Sequence, residues 1–141
     1  MDGEKIHIIL PLCPVTKKNS SQIITVKGRP VLIPSKKYRE YEKQAGMFLK
    51  PLGISYPVNV QATFYMETRR RVDLTNLLNA ICDVLVKYNV LTDDNRNIIF
   101  SVNGSKVLYD KTSPRTEITI TRIPDNEYES WSDSFSRRER K

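Results

Sequence analysis

An α+β domain, a mixed and mainly antiparallel sheet packed with two main helices, is the fold class this sequence predicts. Three observations carry it. Val58 to Met66 alternates, with Val58, Val60, Ala62, Phe64 and Met66 on one side, as in a strand with one buried face. Arg115 to Ile123 alternates likewise through Ile118, Ile120 and Ile123. Between them Leu74, Leu77, Leu78, Ile81 and Leu85 recur at helical spacing and form one apolar stripe.

In chain order, Lys5 to Leu10 is rich in Ile and reads as a first strand. Pro11 and Pro14 end it and stiffen a loop, Leu12 to Asn19, that carries Lys17 and Lys18. Ser21 to Val26 is a second strand, Lys27-Gly28-Arg29-Pro30 a turn, and Val31 to Ile33 a short returning strand. The basic residues of this region fit a loop tracking a phosphate backbone and, equally, an ordinary solvated hairpin. Ser35 is the expected N-cap of a helix to about Leu49, with Tyr38, Tyr41, Ala45, Phe48 and Leu49 facing inward. Pro51 and Gly53 stop it. After the second helix, Thr92 to Asn95 is a polar turn and Ile98 to Val102 a strand. Asn103-Gly104 suits a tight turn or a bulge, Lys106 to Tyr109 extends a hairpin arm, and Asp110 to Pro114 is its loop. The order is β-β-β-α-β-α-β-β.

Composition narrows the function. With 28% charged and 39% hydrophobic residues over 141, one folded domain is expected, spanning residues 1–124. Residues 125–141 lack aliphatic side chains and read as a flexible charged tail with Trp131 and Phe135 as its anchors. The net charge of +7 favours an acidic partner, nucleic acid ahead of a membrane surface. That tail carries four basic and five acidic residues, so the positive charge belongs to the folded part. Cys13 and Cys82 form no CxxC and suit a reducing cytoplasm. Lys5 and His7 interrupt the first apolar run, and no stretch approaches the ~20 apolar residues of a membrane span. Phosphate-cradling glycine loops are absent, His7 is a lone strand histidine, and no serine or cysteine sits beside a base.

Carboxylates remain, and they cluster in the stretch from Arg69 to Ile99. Arg69, Arg70 and Arg71 lead to Asp73; the apolar helix follows, then Asp93 and Asp94. Asp73 is the expected N-cap, its carboxylate accepting from the Asn76 N–H. At about 100° per residue, Asp73, Asn76 and Asp83 fall within roughly a quarter turn of one another. One reading is an exposed loop that caps a core helix beside solvated arginines. The other is a set of arginines holding a polyanion while carboxylates hold a divalent metal against it. Magnesium suits such donors, since it often takes one or two carboxylates and completes its shell with water and substrate phosphate. A metal of this kind can activate water for phosphodiester hydrolysis.

Arg71-Val72-Asp73-Leu74-x-Asn76-Leu77, then Asp83, then Asp93-Asp94, resembles the RusA family of Holliday junction resolvases. The Pro-rich N-terminal loop, the Ser-Lys-Lys-Tyr-Arg helix start and the final Thr-Glu-Ile-Thr-Ile strand extend the resemblance over about residues 5 to 123. It implies a homodimeric endonuclease, often phage- or prophage-borne and cytoplasmic, that binds four-way DNA junctions and makes paired nicks with magnesium or manganese. Paired cuts on a twofold-symmetric junction need two sites related by the same symmetry. The resemblance gives Asp73 and Asp94 catalytic and metal-binding roles. Thr75 stands at the family's second catalytic aspartate and Asn79 at its functional lysine. Asp93 is the candidate replacement carboxylate, and Lys17 or Lys18 the replacement cation. Asn76 either orients Asp73 or binds a metal water; Asp83 matches an acidic position of unassigned role. Lys17, Lys18, Arg69, Arg70 and Arg71 are the candidate DNA contacts. The alternative is a protein of the same fold that binds junctions without cutting them, and Thr75 and Asn79 are the residues that raise it.

Overall fold

The computed structural model describes residues 4–17 and 21–129. A mixed sheet is built on strand β4, Val58–Met66. On one side β4 pairs antiparallel with β7, Arg115–Arg122, which pairs antiparallel with β1, Lys5–Leu10, at the sheet edge. The register aligns Ile8, Ile118 and Ala62 in one row and Ile6, Ile120 and Val60 in another, so a single face of three strands turns inward. Two helices cover it: α1, Lys36–Ala45, which runs on into a 3-10 turn at Gly46–Phe48, and α2, Leu74–Lys87. Tyr41 and Ala45 of α1 and Leu77, Ile81, Val84 and Leu85 of α2 join the strand side chains in one core. On the uncovered face His7 meets the Thr119 hydroxyl across the ladder at 3.1 Å.

The helices are clamped at their C-terminal ends. The Tyr88 hydroxyl donates to the Glu42 carbonyl at 2.9 Å, and Lys87 pairs with the Glu42 carboxylate. A Cβ at Gly46 would stand 2.5 Å from the Tyr88 ring, so glycine allows this close crossing. Ser35 caps α1 as expected, its Oγ accepting from the Tyr38 N–H at 3.2 Å.

The other edge of β4 departs from the expected hairpin. Strands β5, Ile99–Ser101, and β6, Lys106–Tyr109, both run parallel to β4, β5 beside its first residues and β6 beside its last. Helix α2 is thus the crossover of a β-α-β unit, which a parallel neighbour requires. Asn103-Gly104 does not reverse the chain. It lifts residues 102–105 away from β4 and lets the same edge resume. Gly104 has φ +84°, and a Cβ there would press on the Gln61 side chain at 3.1 Å. Side chains replace the missing ladder bonds. Asn59 Oδ1 accepts from Ser101 Oγ at 2.6 Å and the Asn103 N–H at 2.8 Å, and Ser105 Oγ accepts from the Ala62 N–H at 3.1 Å. The 110–114 loop then carries the chain across the end of β4, with Asp110 N–H donating to the Met66 carbonyl at 2.9 Å.

Strands β2, Ser21–Val26, and β3, Arg29–Pro34, form a separate antiparallel hairpin. The composition change at Pro124 does not end the ordered chain. Residues 125–129 make a helical turn, and Tyr128 packs edge-on against Phe100 and donates to Asn97 Oδ1 at 2.9 Å. Trp131 and Phe135 lie outside the described residues.

Candidate active site and nucleic-acid interface

The site grows from the join between β4 and α2. Past Met66 the chain leaves the sheet, passes through the exposed residues 67–71 and enters α2 at Asp73. Asp73 is the N-cap by backbone geometry, its carbonyl accepting from the Asn76 N–H at 3.1 Å and the Leu77 N–H at 3.2 Å. Its carboxylate does not perform the expected cap. Oδ2 instead accepts from the Asn76 side-chain amide at 3.3 Å, and the carboxylate stays exposed. The Asn76 amide thus contacts the Asp73 carboxylate directly.

One turn into α2, Thr75, Leu78, Asn79 and Cys82 form one wall of a depression of about 270 Å³, completed by Asp94, Ile99 and Val102. The turn after α2 therefore delivers Asp94 to the helix face that carries Thr75 and Asn79. Its acidic neighbour is used differently. Asp93 Oδ1 accepts from the Asp94 N–H at 2.7 Å and Oδ2 from the Asn95 amide at 3.0 Å. These bonds, the Asp94 N–H foremost, hold the Asp93 carboxylate below the usual carboxylate range. Asn95 continues the turn by accepting from the Asn97 N–H at 2.9 Å. Asp93 builds the turn that presents Asp94.

Asp83 faces the N-terminal loop, where Lys17 Nζ stands 3.6 Å from its carboxylate and 5.9 Å from the centre of the Tyr38 ring. The loop thus carries Lys17 to the polar stripe of α2, one turn beyond Asn79. Lys18 lies outside the described residues.

The three arginines separate. Arg69 stacks on Tyr109 at the end of β6, 4.1 Å from the ring centre. Arg70 and Arg71 line a polar concavity of about 290 Å³ together with Lys37, Thr16, Glu67 and Thr68. Tyr109 and Cys82 are the site neighbours that the sequence reading did not single out. Their places depend on pairings that the periodicity does not reveal, whereas Lys37 belongs to a basic face of α1 that the sequence already offers as a possible DNA contact.

A divalent ion fits this donor set only as a substrate-completed site. Among the described residues no three His, Cys, Asp or Glu side chains converge to form a cage. The hard oxygens of Asp73 and Asp94, exposed and oriented by Asn76 and Asp93, suit magnesium, which needs few protein ligands.

The family model described as Endodeoxyribonuclease RusA matches residues 11–121, from the loop after β1 to the end of β7. A relative from Aquifex aeolicus (strain VF5), Crossover junction endodeoxyribonuclease RusA, is 32% identical over 107 residues, covering 73% of this chain and 81% of its own. Both matches take in the Asp73 helix start and the Asp94 turn or most of the fold around them, and this chain belongs to the RusA family of endodeoxyribonucleases.

Proposed function

We propose that the protein binds four-way DNA junctions as a homodimer and resolves them by paired, metal-dependent nicks. The observation that carries this reading is the placing of Asp94 against Thr75 and Asn79 on α2, whose N-cap is Asp73 and whose approach is the arginine triplet. The groups this reading assigns to polyanion and metal thereby lie on one short segment.

Asp73 and Asp94 would hold the ion, with the Thr75 hydroxyl and ordered water beside them. When bound, such an ion lowers the pKa of a coordinated water and offsets charge on the phosphate. The protein's own part is positional. Asn76 fixes the Asp73 carboxylate, the Asp93 turn fixes Asp94, and Arg69, Arg70 and Arg71 seat phosphates without reading bases. Lys17 brings a cation to the stripe where Asn79 offers none.

The neutral residues Thr75 and Asn79 in the Asp94 depression raise a second reading, junction binding without cleavage. Incubating a labelled synthetic four-way junction with magnesium, manganese or neither separates the two. Metal-dependent symmetric nicks support the first reading; binding with no nicks under any of these conditions supports the second.

A further inference from the structure

Among the described residues, the β2–β3 hairpin forms a two-stranded sheet of its own and pairs with no strand of the main sheet. Its register sets Ile23 directly opposite Leu32, and these side chains are 72% and 69% exposed. Val26 and Val31 on the opposite face are exposed too. Single exposed apolar residues are ordinary, but a cross-strand pair on a projecting hairpin is a surface shaped for contact. A two-stranded hairpin is marginal alone in water, so its order gains from a partner.

Charge decides which partner. From Lys5 to Arg39 the chain holds eight basic residues and not one acidic residue. Lys27 lies in the two-residue hairpin turn and Arg29 directly follows it. Two copies of this hairpin meeting across a twofold axis would press like charge on like charge. A polyanion would be attracted. Apolar Ile and Leu side chains seat against base steps in DNA, while neighbouring Lys and Arg hold the phosphates. A branch point held open exposes base-pair faces that a linear duplex keeps stacked. The hairpin is also rooted beside the site: the loop before it brings Lys17 to Asp83, and the chain after it enters α1 at Ser35.

We infer that Ile23 and Leu32 form an apolar wedge that seats on the open base-pair faces of a DNA branch point, with Lys27 and Arg29 on the adjoining phosphates. This inference rests on the reading of the protein as a junction-binding enzyme, and adds how it tells branched from linear DNA.

The test compares the full chain with Ile23→Ser/Leu32→Ser, using a four-way junction that carries 2-aminopurine at the branch and a linear duplex of equal length. The unmodified protein is expected to prefer the junction and to raise the 2-aminopurine fluorescence. The variant, with circular dichroism and melting temperature retained because both positions are exposed, should lose the fluorescence rise and about tenfold of its junction affinity, a change of about 1.4 kcal/mol. Its duplex affinity should hold. Lys27→Ala/Arg29→Ala should instead weaken both DNAs and flatten the salt dependence. A serine variant that keeps both the fluorescence rise and the junction preference overturns the wedge and leaves the junction reading standing. A serine variant that sediments as a monomer where the unmodified protein is a dimer also overturns it, because a second copy would then cover the hairpin. An unmodified protein with no junction preference defeats the underlying reading itself.

Discussion

The guanidinium of Arg69 lies over the Tyr109 ring, 4.1 Å from its centre, across the gap between the end of β4 and the end of β6. A long, exposed arginine is thereby held in one place beside the chain leading into Asp73. Cation–π stacking at an exposed site is worth about 0.5–1 kcal/mol, and Tyr109→Ala should weaken DNA binding by roughly two- to fivefold. Tyr109→Phe keeps the ring and should keep the affinity. Because phosphate contacts carry little sequence information, the loss should be the same on junctions of different sequence, which titrations with several junctions would check.

Lys17 and Asp83 stand 3.6 Å apart with both side chains more than 40% exposed. A screened pair of this kind contributes about 0–1 kcal/mol, so Asp83→Asn should melt within a few degrees of the unmodified protein. The same change removes a negative charge from the stripe proposed to face phosphate and should tighten junction binding modestly, roughly twofold at low salt. Lys17→Ala should loosen it. Equal effects of both changes on melting with none on binding would assign the pair to structure alone.

Cys82 shares the depression with Asp94, and its thiol is pushed up to about 11, first by burial and then by the negative charges of Asp83 and Asp94. The thiolate is scarce at pH 8, so alkylation of Cys82, measured with Cys13→Ser in place, should be slow and still rising above pH 9. Asp94→Asn removes one of the charges that raise the pKa and should speed the reaction at a fixed pH. That reading reports the closeness of Asp94 to α2 without any assay of cleavage.

The helix stripe, the alternating strands and the Ser35 cap were legible because each follows from local periodicity or a local hydrogen bond. The parallel placing of β5 and β6 was not. Asn103-Gly104 suits a tight turn or a bulge, and only bonds to β4, far away in sequence, make it a break between two collinear strands: the Asn103 N–H donates to Asn59, and Ser105 accepts from the Ala62 N–H. The Asp93-Asp94 pair was legible as a candidate site, but the division of labour within it was not. Which carboxylate turns back on its own loop is decided by bonds to the Asp94 N–H and to Asn95, and spacing is blind to that. Tyr128 escaped notice for a similar reason. One aromatic in a polar segment carries no periodic signal, yet it finds Phe100 and Asn97.

The proposed metal site allows the sharpest prediction. Asp73→Asn and Asp94→Asn should each abolish nicking while preserving or tightening junction binding, since asparagine keeps the shape but loses the charge that holds a cation and repels phosphate. Asp93→Asn should act differently. Its carboxylate accepts the Asp94 N–H and the Asn95 amide, and an asparagine retains one acceptor oxygen, so nicking should fall but survive. Thr75→Asp then asks whether the neutral residue weakens the site. Thr75 lines the depression with Asp94, so a carboxylate there would join the donor set and should lower the magnesium needed for half-maximal nicking. Without metal the same variant should be destabilised and should bind DNA less well, because two carboxylates then crowd one another and face phosphate. Added magnesium should restore its melting temperature, through binding to the folded state alone. A Thr75→Asp protein whose melting and nicking are both indifferent to magnesium would place the ion elsewhere, and normal nicking by the Asp73 and Asp94 variants would remove these two residues from the chemistry.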